Sequence, residues 1–188
     1  MKKKIAVLAL QGAFIEHEKI LEELGAEVIE IRQKADLQQH FDALVLPGGE
    51  STVIGKLLKE LELFRPLKEK IESGMPVLAT CAGLILLAEH ISNDEHVYFG
   101  TMPITVRRNA YGRQLGSFEA EAEVARIGRI PLRFIRAPYI EEVGAGVEVL
   151  ARVDGMAVAA QYGKQIGLAF HPELTSDRSV HQCFLESI

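Results

Sequence analysis

Short apolar runs alternate with segments of helical periodicity through residues 1–90, and this alternation is the feature that most constrains the fold. The runs that predict strands are Lys4–Leu10, Glu27–Ile31, Ala43–Leu46 and Pro76–Thr80. The segments between them predict helices over Ala13–Leu24, Ser51–Leu61 with Ser51 as its cap, Pro66–Ser73 and Leu84–Leu87. Strands that alternate with helices favour a parallel sheet covered on both faces. The pattern therefore predicts a three-layer α/β/α domain with a mostly parallel central sheet.

The second half of the chain follows a different pattern. Phe118–Val124 alternates apolar and acidic residues, which is typical of a strand with one face in solvent. Further strands are predicted at Leu132–Ile135, Val147–Val153, Met156–Tyr162 and Gln165–Phe170, before a closing helix over Arg178–Ile188. We therefore expect an antiparallel extension of the sheet, within one domain that spans residues 1–188.

Composition narrows the class of protein. With 188 residues, of which 48% are hydrophobic, the chain is long enough for one well-buried core. The net charge of −5 is mild and the cations are scattered, which argues against nucleic acid as a partner. No apolar run approaches the ~20 residues of a membrane span, so we expect a soluble, cytoplasmic protein. The 2 cysteines and the spacing of the histidines argue against a disulfide scaffold or a metal site.

Cys81 directly follows a predicted buried strand and precedes an apolar helix. This arrangement resembles a nucleophile elbow, which holds a reactive atom at the N-terminus of a helix. The positive end of that helix would favour a thiolate, and the small residues Ala82 and Gly83 would leave backbone N–H groups free for an oxyanion. The alternative, from the residues alone, is an inert core thiol. Cys183 is expected in the core, because it shares an apolar face of the closing helix.

His171 and Glu173 follow the last predicted strand, separated by Pro172. A carboxylate two residues from an imidazole can set its tautomer and make it a base. If the two strand ends meet, Cys81, His171 and Glu173 can act as nucleophile, base and orienting group. The alternative is a hydrogen-bonded surface histidine. The remaining histidines lack a comparable setting: His17, His40, His90, His96 and His181.

A glycine pair, Gly48 and Gly49, ends the third predicted strand and precedes Glu50 and Ser51. Such pairs often only make turns, but at this position backbone amides can be offered to an anion. Three arginines lie near predicted strand or loop ends: Arg107, Arg108 and Arg136. One of them can hold a substrate carboxylate in a bidentate fork, the alternative being a solvated surface cation.

Several blocks of sequence carry a resemblance along essentially the whole chain. The blocks are Leu10–Gly12, Pro47–Ser51, Thr80–Gly83, Arg108–Gln114, Ser117–Glu119, Phe134–Pro138 and Phe170–Thr175. In this order they closely resemble the glutaminase subunits of pyridoxal 5′-phosphate synthase, within the class I, triad-type glutamine amidotransferases. The Cys-His-Glu set alone would indicate only that superfamily. Three further blocks indicate the vitamin B6 branch: Gly-Gly-Glu-Ser, Arg-Asn-x-x-Gly-Arg-Gln and Ile-Arg-Ala-Pro. The resemblance implies a flavodoxin-like α/β fold.

The resemblance also implies a role for each matching residue. Cys81 would attack the side-chain amide of L-glutamine, His171 would serve as base and then proton donor, and Glu173 would orient it. The residues that match glutamine-binding positions are Gly49, Glu50, Ser51, Arg108, Ile135 and Arg136. Independently of the resemblance, the positions of the elbow and of the strand ends give the candidates for forming or activating the oxyanion site: Gln11, Gly48, Gly49 and Ala82. One departure is Ala79, where these enzymes commonly carry glycine; alanine is the smallest replacement and we expect it to be tolerated.

By the same resemblance, ammonia would pass to a (β/α)₈-barrel synthase subunit in a large hetero-oligomer. This chain itself would bind no pyridoxal phosphate, no other cofactor and no metal. Three alternatives remain: a glutaminase serving another synthase, such as imidazole glycerol phosphate synthase; a stand-alone cysteine hydrolase or glyoxalase-like enzyme; and a non-catalytic binding subunit. The Arg-Asn and Ile-Arg-Ala-Pro blocks argue against the first, and the complete triad argues against the last.

Overall fold

The structure, a computed structural model, describes residues 1–109 and 116–188. The helices are α1 (Phe14–Glu23), α2 (Ser51–Glu60), α3 (Phe64–Glu72), α4 (Ala82–Leu87) and α5 (Ser179–Glu186), with 3-10 turns at Lys34–Gln38 and Pro172–Leu174. The strands are β1 (Lys4–Leu8), β2 (Glu27–Ile31), β3 (Ala43–Leu46), β4 (Val77–Thr80), β5 (Ala88–Ile91), β6 (Met102–Arg107), β7 (Ser117–Val124), β8 (Gly128–Ile135), β9 (Tyr139–Val143), β10 (Glu148–Val153), β11 (Met156–Tyr162) and β12 (Gln165–Leu168).

A mixed sheet forms the centre of the fold, in the order β2-β1-β3-β4-β12-β11-β9-β6-β5, with β10 paired to β11. The strands from β2 to β12 run parallel. From there β11 pairs antiparallel with β12, β9 with β11 and β6 with β9. Every residue of β3 and β4 is buried, as expected for central strands covered on both faces. The predicted α/β fold, mostly parallel with an antiparallel extension, is confirmed.

A separate ribbon of β7 and β8 stands beside this sheet. Its register pairs Ser117 with Ile135 and Val124 with Gly128. The acidic residues of β7 are exposed while Ala122 and Val124 are buried, as the alternation predicts. Because β8 ends at Ile135, the ribbon places the Ile135–Arg136 segment at the edge of the sheet where the parallel strands end.

Element bounds differ from the sequence expectation where caps and edge strands decide them. The strand β1 ends at Leu8 rather than Leu10, and α3 begins at Phe64 rather than Pro66. The cap of α2 is Glu50, whose carboxylate accepts a hydrogen bond from the N–H of Val53 at 3.0 Å, so the expectation of Ser51 as cap is wrong. The strands β5, β6 and β9 were not predicted; Pro103 within β6 obscures a strand pattern.

Two further findings concern membrane-spanning helices and the position of Cys183. Within the described residues, no helix combines the length and hydrophobicity needed to cross a bilayer. Cys183 is half-buried in a small surface cleft with Arg126 and Ser179, so the expectation that it belongs to the core is wrong. Its neighbour Phe184 takes the core position on α5 instead.

Candidate active site

Cys81 lies in the sharp turn between β4 and α4, as the elbow pattern predicts. Its backbone φ is 49°, a value that residues with a side chain rarely adopt. Its backbone N–H donates a hydrogen bond to the carbonyl of Leu168 at 2.7 Å. A Cβ at Gly83 would lie 2.2 Å from the carbonyl oxygen of Leu46, so only glycine lets α4 start this close to β3. The turn thus holds the Cys81 side chain in one place, 6% exposed, at the carboxyl edge of the sheet.

His171 and Glu173 form a buried pair just beyond the end of β12. The ring Nδ1 of His171 lies 2.5 Å from Oε1 of Glu173. The backbone N–H of His171 donates a hydrogen bond to the carbonyl of Arg133 at 2.8 Å. Burial disfavours charge on the imidazole, but hydrogen bonds to the side chains of Cys81 and Glu173 outweigh it and raise the pKa of His171 to about 10. The imidazole is therefore charged at neutral pH.

The glycine loop after β3 closes over this pair. A Cβ at Gly48 would lie 2.3 Å from Cε1 of His171 and 3.4 Å from Cβ of Cys81, so the loop backbone touches both groups. The loop is tied in turn to the segment after β1. The Gly48 carbonyl accepts from the N–H of Ala13 at 2.9 Å, and the side-chain oxygen of Gln11 accepts from the N–H of Glu50 at 2.7 Å.

A cavity of about 490 Å³ opens beside Cys81, within the size range of small-molecule sites. It is lined by Gln11, Ala13, Gly48, Gly49, Glu50, Ser51, Cys81, Ile85, Arg108, Asn109, Ile135, Arg136 and His171. Most residues expected at the site from the sequence therefore converge here; Glu173 lies behind His171, and Ala82 lies next to Cys81 in the chain. Ser51 is buried, and its hydroxyl has no hydrogen-bond partner among the described residues, so it is free to bond a ligand.

Arg108 is fixed at the rim of this cavity. Its guanidinium donates to Asp94 at 2.7 Å and to Glu50 at 3.2 Å. The side chain of Asn93 bonds both the N–H and the carbonyl of Arg108, each at 3.0 Å. Hydrogen bonds from the backbone and ring of His96, followed by the Arg108 contact, lower the pKa of Asp94 to about 2 and keep it ionised.

The other arginines are placed differently. Arg107 is exposed and lies 3.7 Å from Glu141, away from the cavity. Arg136 lines the cavity with a φ of 43°, and its N–H donates to the carbonyl of Gly116. The carbonyl of Ile135 faces the Cys81 sulfur at 3.9 Å. Residues 110–114 of the Arg108–Gln114 block lie outside the described residues.

Two histidines that the sequence analysis set aside are buried next to the site. His17 and His181 are both 0% exposed, with His17 Nδ1 2.8 Å from His181 Nε2. The Nε2 of His17 lies 3.5 Å from Oε2 of Glu173. The expectation that they lack a comparable setting is therefore wrong. Their positions on the core-facing stripes of α1 and α5, among buried Ile20, Leu21 and Phe184, were the available signal.

In this site a cysteine at a strand–helix elbow lies beside a buried His-Glu pair, at the carboxyl edge of a parallel sheet. This arrangement is typical of α/β enzymes that catalyse cysteine-dependent acyl transfer. No cluster that could hold a metal ion occurs within residues 1–109 and 116–188. A model of the SNO glutamine amidotransferase family matches residues 7–188. The chain therefore belongs to the SNO glutamine amidotransferase family.

Proteins of similar sequence match nearly the whole chain. The pyridoxal 5′-phosphate synthase subunit PdxT of Desulfitobacterium hafniense (strain Y51) is 61% identical over 185 residues, covering 98% of this chain and 93% of its own. The PdxT subunit of Methanocorpusculum labreanum is 58% identical, with 98% and 97% covered. That of Haemophilus influenzae (strain PittEE) is 53% identical, with 97% of each covered.

Solved structures agree with the fold. A crystal structure described as a glutamine amidotransferase superposes with a TM-score of 0.91 at 44% identity, covering 97% of each chain. The PurLQS structure from Thermotoga maritima has a TM-score of 0.74 at 16% identity, covering 100% of this chain and 99% of the matched one. At that identity the second likeness concerns the fold alone.

Proposed function

We propose that this chain is the glutaminase subunit of a pyridoxal 5′-phosphate synthase, with residues 1–188 acting as one catalytic domain. The observation that carries the proposal is the convergence of Cys81, His171 and the glycine loop on one cavity, in a chain 61% identical to a PdxT subunit. The reaction is hydrolysis of L-glutamine to L-glutamate and ammonia.

In the proposed reaction, the Cys81 thiolate attacks the side-chain amide carbon of glutamine and forms a carbon–sulfur bond. The charged His171 gives its proton to the amide nitrogen, so that the carbon–nitrogen bond breaks and ammonia leaves. The resulting thioester is attacked by water while neutral His171 takes the water proton, and glutamate is released as the carbon–sulfur bond breaks. Glu173 keeps the imidazole in the required orientation through both steps.

Around these reacting atoms, the lining residues suit the rest of the substrate. The backbone N–H groups of Gly49 and Ala82 are the proposed oxyanion donors, one from the loop and one from the start of α4. Arg108 offers its guanidinium to the substrate carboxylate, and Glu50 beside it offers a carboxylate to the substrate ammonium. Ser51, Ile135 and Arg136 line the remaining wall.

The ammonia released from glutamine would be used by a second enzyme. The relatives are described as synthase subunits, which supports a synthase partner for this chain. We propose that this partner is a (β/α)₈-barrel subunit, that the assembly is a large hetero-oligomer, and that both act in the cytoplasm without a cofactor on this chain.

The test is glutamate production from glutamine, measured with this chain alone and after addition of the barrel-type synthase. We expect turnover that rises strongly with the synthase. Equal turnover with and without it, together with binding to a different synthase in a pull-down, would assign the chain to another glutaminase. Turnover of esters or α-oxoaldehydes in place of glutamine would instead assign it to the stand-alone hydrolases.

A further inference from the structure

Two buried histidines and a threonine hydroxyl lie directly behind the proposed triad, in positions that the reaction steps do not use. His17 belongs to α1 and His181 to α5. His17 Nε2 lies 3.2 Å from Oγ1 of Thr80 and 3.5 Å from Oε2 of Glu173. Because Thr80 is the residue before Cys81, one imidazole contacts both the backbone element that carries the nucleophile and the carboxylate that orients the base.

Within the described residues, one oxygen of the Glu173 carboxylate lacks a hydrogen-bond donor, and His17 lies where it can supply one. Its Oε1 is bonded to His171, whereas Oε2 is buried and has no hydrogen-bond partner in the described part of the chain. Burying a carboxylate oxygen without a hydrogen-bond donor is costly, because burial removes the water that would otherwise bond it. His17 Nε2, at 3.5 Å, is a ring nitrogen positioned beside that oxygen.

The charge state of the two histidines follows from their surroundings. Burial, followed by the charges of His181 and His171, lowers the pKa of His17 well below its usual value. Burial, followed by the charge of Arg178, lowers the pKa of His181 to about 4. Both rings are therefore neutral at neutral pH, and each has one N–H donor and one acceptor nitrogen.

Only one of the two tautomer arrangements suits the neighbours. With the proton on Nε2, His17 donates toward Glu173 and Thr80 while its Nδ1 accepts from His181 at 2.8 Å. With the proton on Nδ1, a nitrogen lone pair would face the carboxylate. His181 Nδ1, which has no partner within the described residues, would then carry a buried unsatisfied N–H.

We propose that His17, held in its Nε2–H tautomer by His181, is a positioning residue for the glutaminase reaction. It fixes the carboxylate of Glu173, which in turn orients His171, and it ties that carboxylate to Thr80 at the base of the elbow. The chain of contacts then runs from α5 through α1 to the nucleophile. The inference rests on the proposed triad and concerns a residue that touches no substrate.

The test compares His17→Leu, His17→Gln and His17→Asn in the full chain with its synthase partner. We expect His17→Leu to lower kcat about 10- to 100-fold, the range known for partners that orient an imidazole at a metal site, with little change in KM. Gln reaches as far as Nε2 with an amide N–H and should recover more of kcat than Asn, which reaches only to Nδ1. Leu21→Ala, on the same buried face of α1, is the control: it should lower the melting temperature and leave kcat unchanged.

Parent kcat in a folded His17→Leu variant would overturn the proposal. So would an Asn variant at least as active as the Gln variant, and this comparison decides the matter if His17→Leu does not fold. If the proposed triad itself is wrong, the result differs: Cys81→Ala retains activity. The proposed function and the proposed role of His17 would then both be wrong.

Discussion

The side-chain oxygen of Gln11 accepts a hydrogen bond from the backbone N–H of Glu50 over 2.7 Å, which ties the segment after β1 to the glycine loop. The neighbouring bond from Ala13 N–H to the Gly48 carbonyl, at 2.9 Å, ties it a second time. A Cβ at Gly12 would lie 1.9 Å from that carbonyl oxygen, so the two segments are in backbone contact. A partner that shifts residues 11–13 must therefore also shift the peptide between Gly48 and Gly49.

The first prediction is that the Gln11 contact controls activation by the synthase. A peptide between two glycines can rotate at little steric cost, and one oxyanion donor changes the rate by ~10²–10³-fold. We expect Gln11→Leu to lower the ratio of kcat with synthase to kcat without it by about tenfold or more. Affinity for the synthase, measured on the same variant, should change much less.

Gly49→Ala is the companion variant, because its Cβ would meet Oε1 of Gln11 at 2.4 Å and disturb the same contact through a flexible side chain. Gly48 is unsuitable, since a Cβ there would strike the ring of His171. An isolated chain that already turns over glutamine as fast as the complex would rule out the switch and leave the triad standing.

The second prediction concerns the two thiols. Cys81→Ala should lower glutaminase turnover by about 10⁴-fold or more with the melting temperature nearly unchanged, because the substitution removes the nucleophile without a large cavity. Cys183→Ala is the matched control and should be nearly silent, because Cys183 lies in a surface cleft. A glutamine analogue with an electrophile at the amide carbon should label Cys81; an adduct on Cys183 in peptide mass spectrometry would contradict the assignment.

The sequence predicted those parts of the molecule that local patterns govern. The parallel core follows from buried runs such as Ala43–Leu46, and the elbow follows from a strand that leads straight into Cys81. What it missed depends on contacts between distant elements. His17 and His181 are 164 positions apart in the chain, and nothing in either helix alone states that the two rings meet. The cap of α2 was missed because Glu50 takes it, although Ser51 has the stronger capping preference.

The third prediction compares two neighbouring arginines. Arg108 lines the cavity and is held by Asp94 and Asn93, whereas Arg107 is exposed and lies beside Glu141. If Arg108 binds the substrate carboxylate, Arg108→Ala should raise KM for glutamine about 10- to 100-fold, the effect of losing a charge-assisted hydrogen bond of ~1.5–3 kcal/mol. Arg107→Ala should leave KM unchanged. Equal effects of the two substitutions on KM would show that the carboxylate is bound elsewhere.

Asp94 extends this comparison. Because it holds the guanidinium from behind, Asp94→Asn should raise KM by a smaller factor than Arg108→Ala and leave kcat nearly unchanged. Steady-state kinetics over a range of glutamine concentrations separate the two constants. A fall in kcat at constant KM would instead place Asp94 in the chemical step.

The last prediction is a pH dependence of stability that originates away from the site. Burial, followed by the charge and hydrogen bond of Glu30, raises the pKa of Glu18 on α1 from 4.5 to about 7. The folded chain therefore holds a proton at Glu18 that the unfolded chain has already released, and stability falls as the pH rises from about 4.5 to about 7. Glu18→Gln removes that titration, so we expect its melting temperature to exceed that of the parent by more at pH 8 than at pH 4. Glu16→Gln, at an exposed position of the same helix, should show the same small difference at both values. A Glu18→Gln difference that is independent of pH would mean that the folded chain does not hold the extra proton at Glu18.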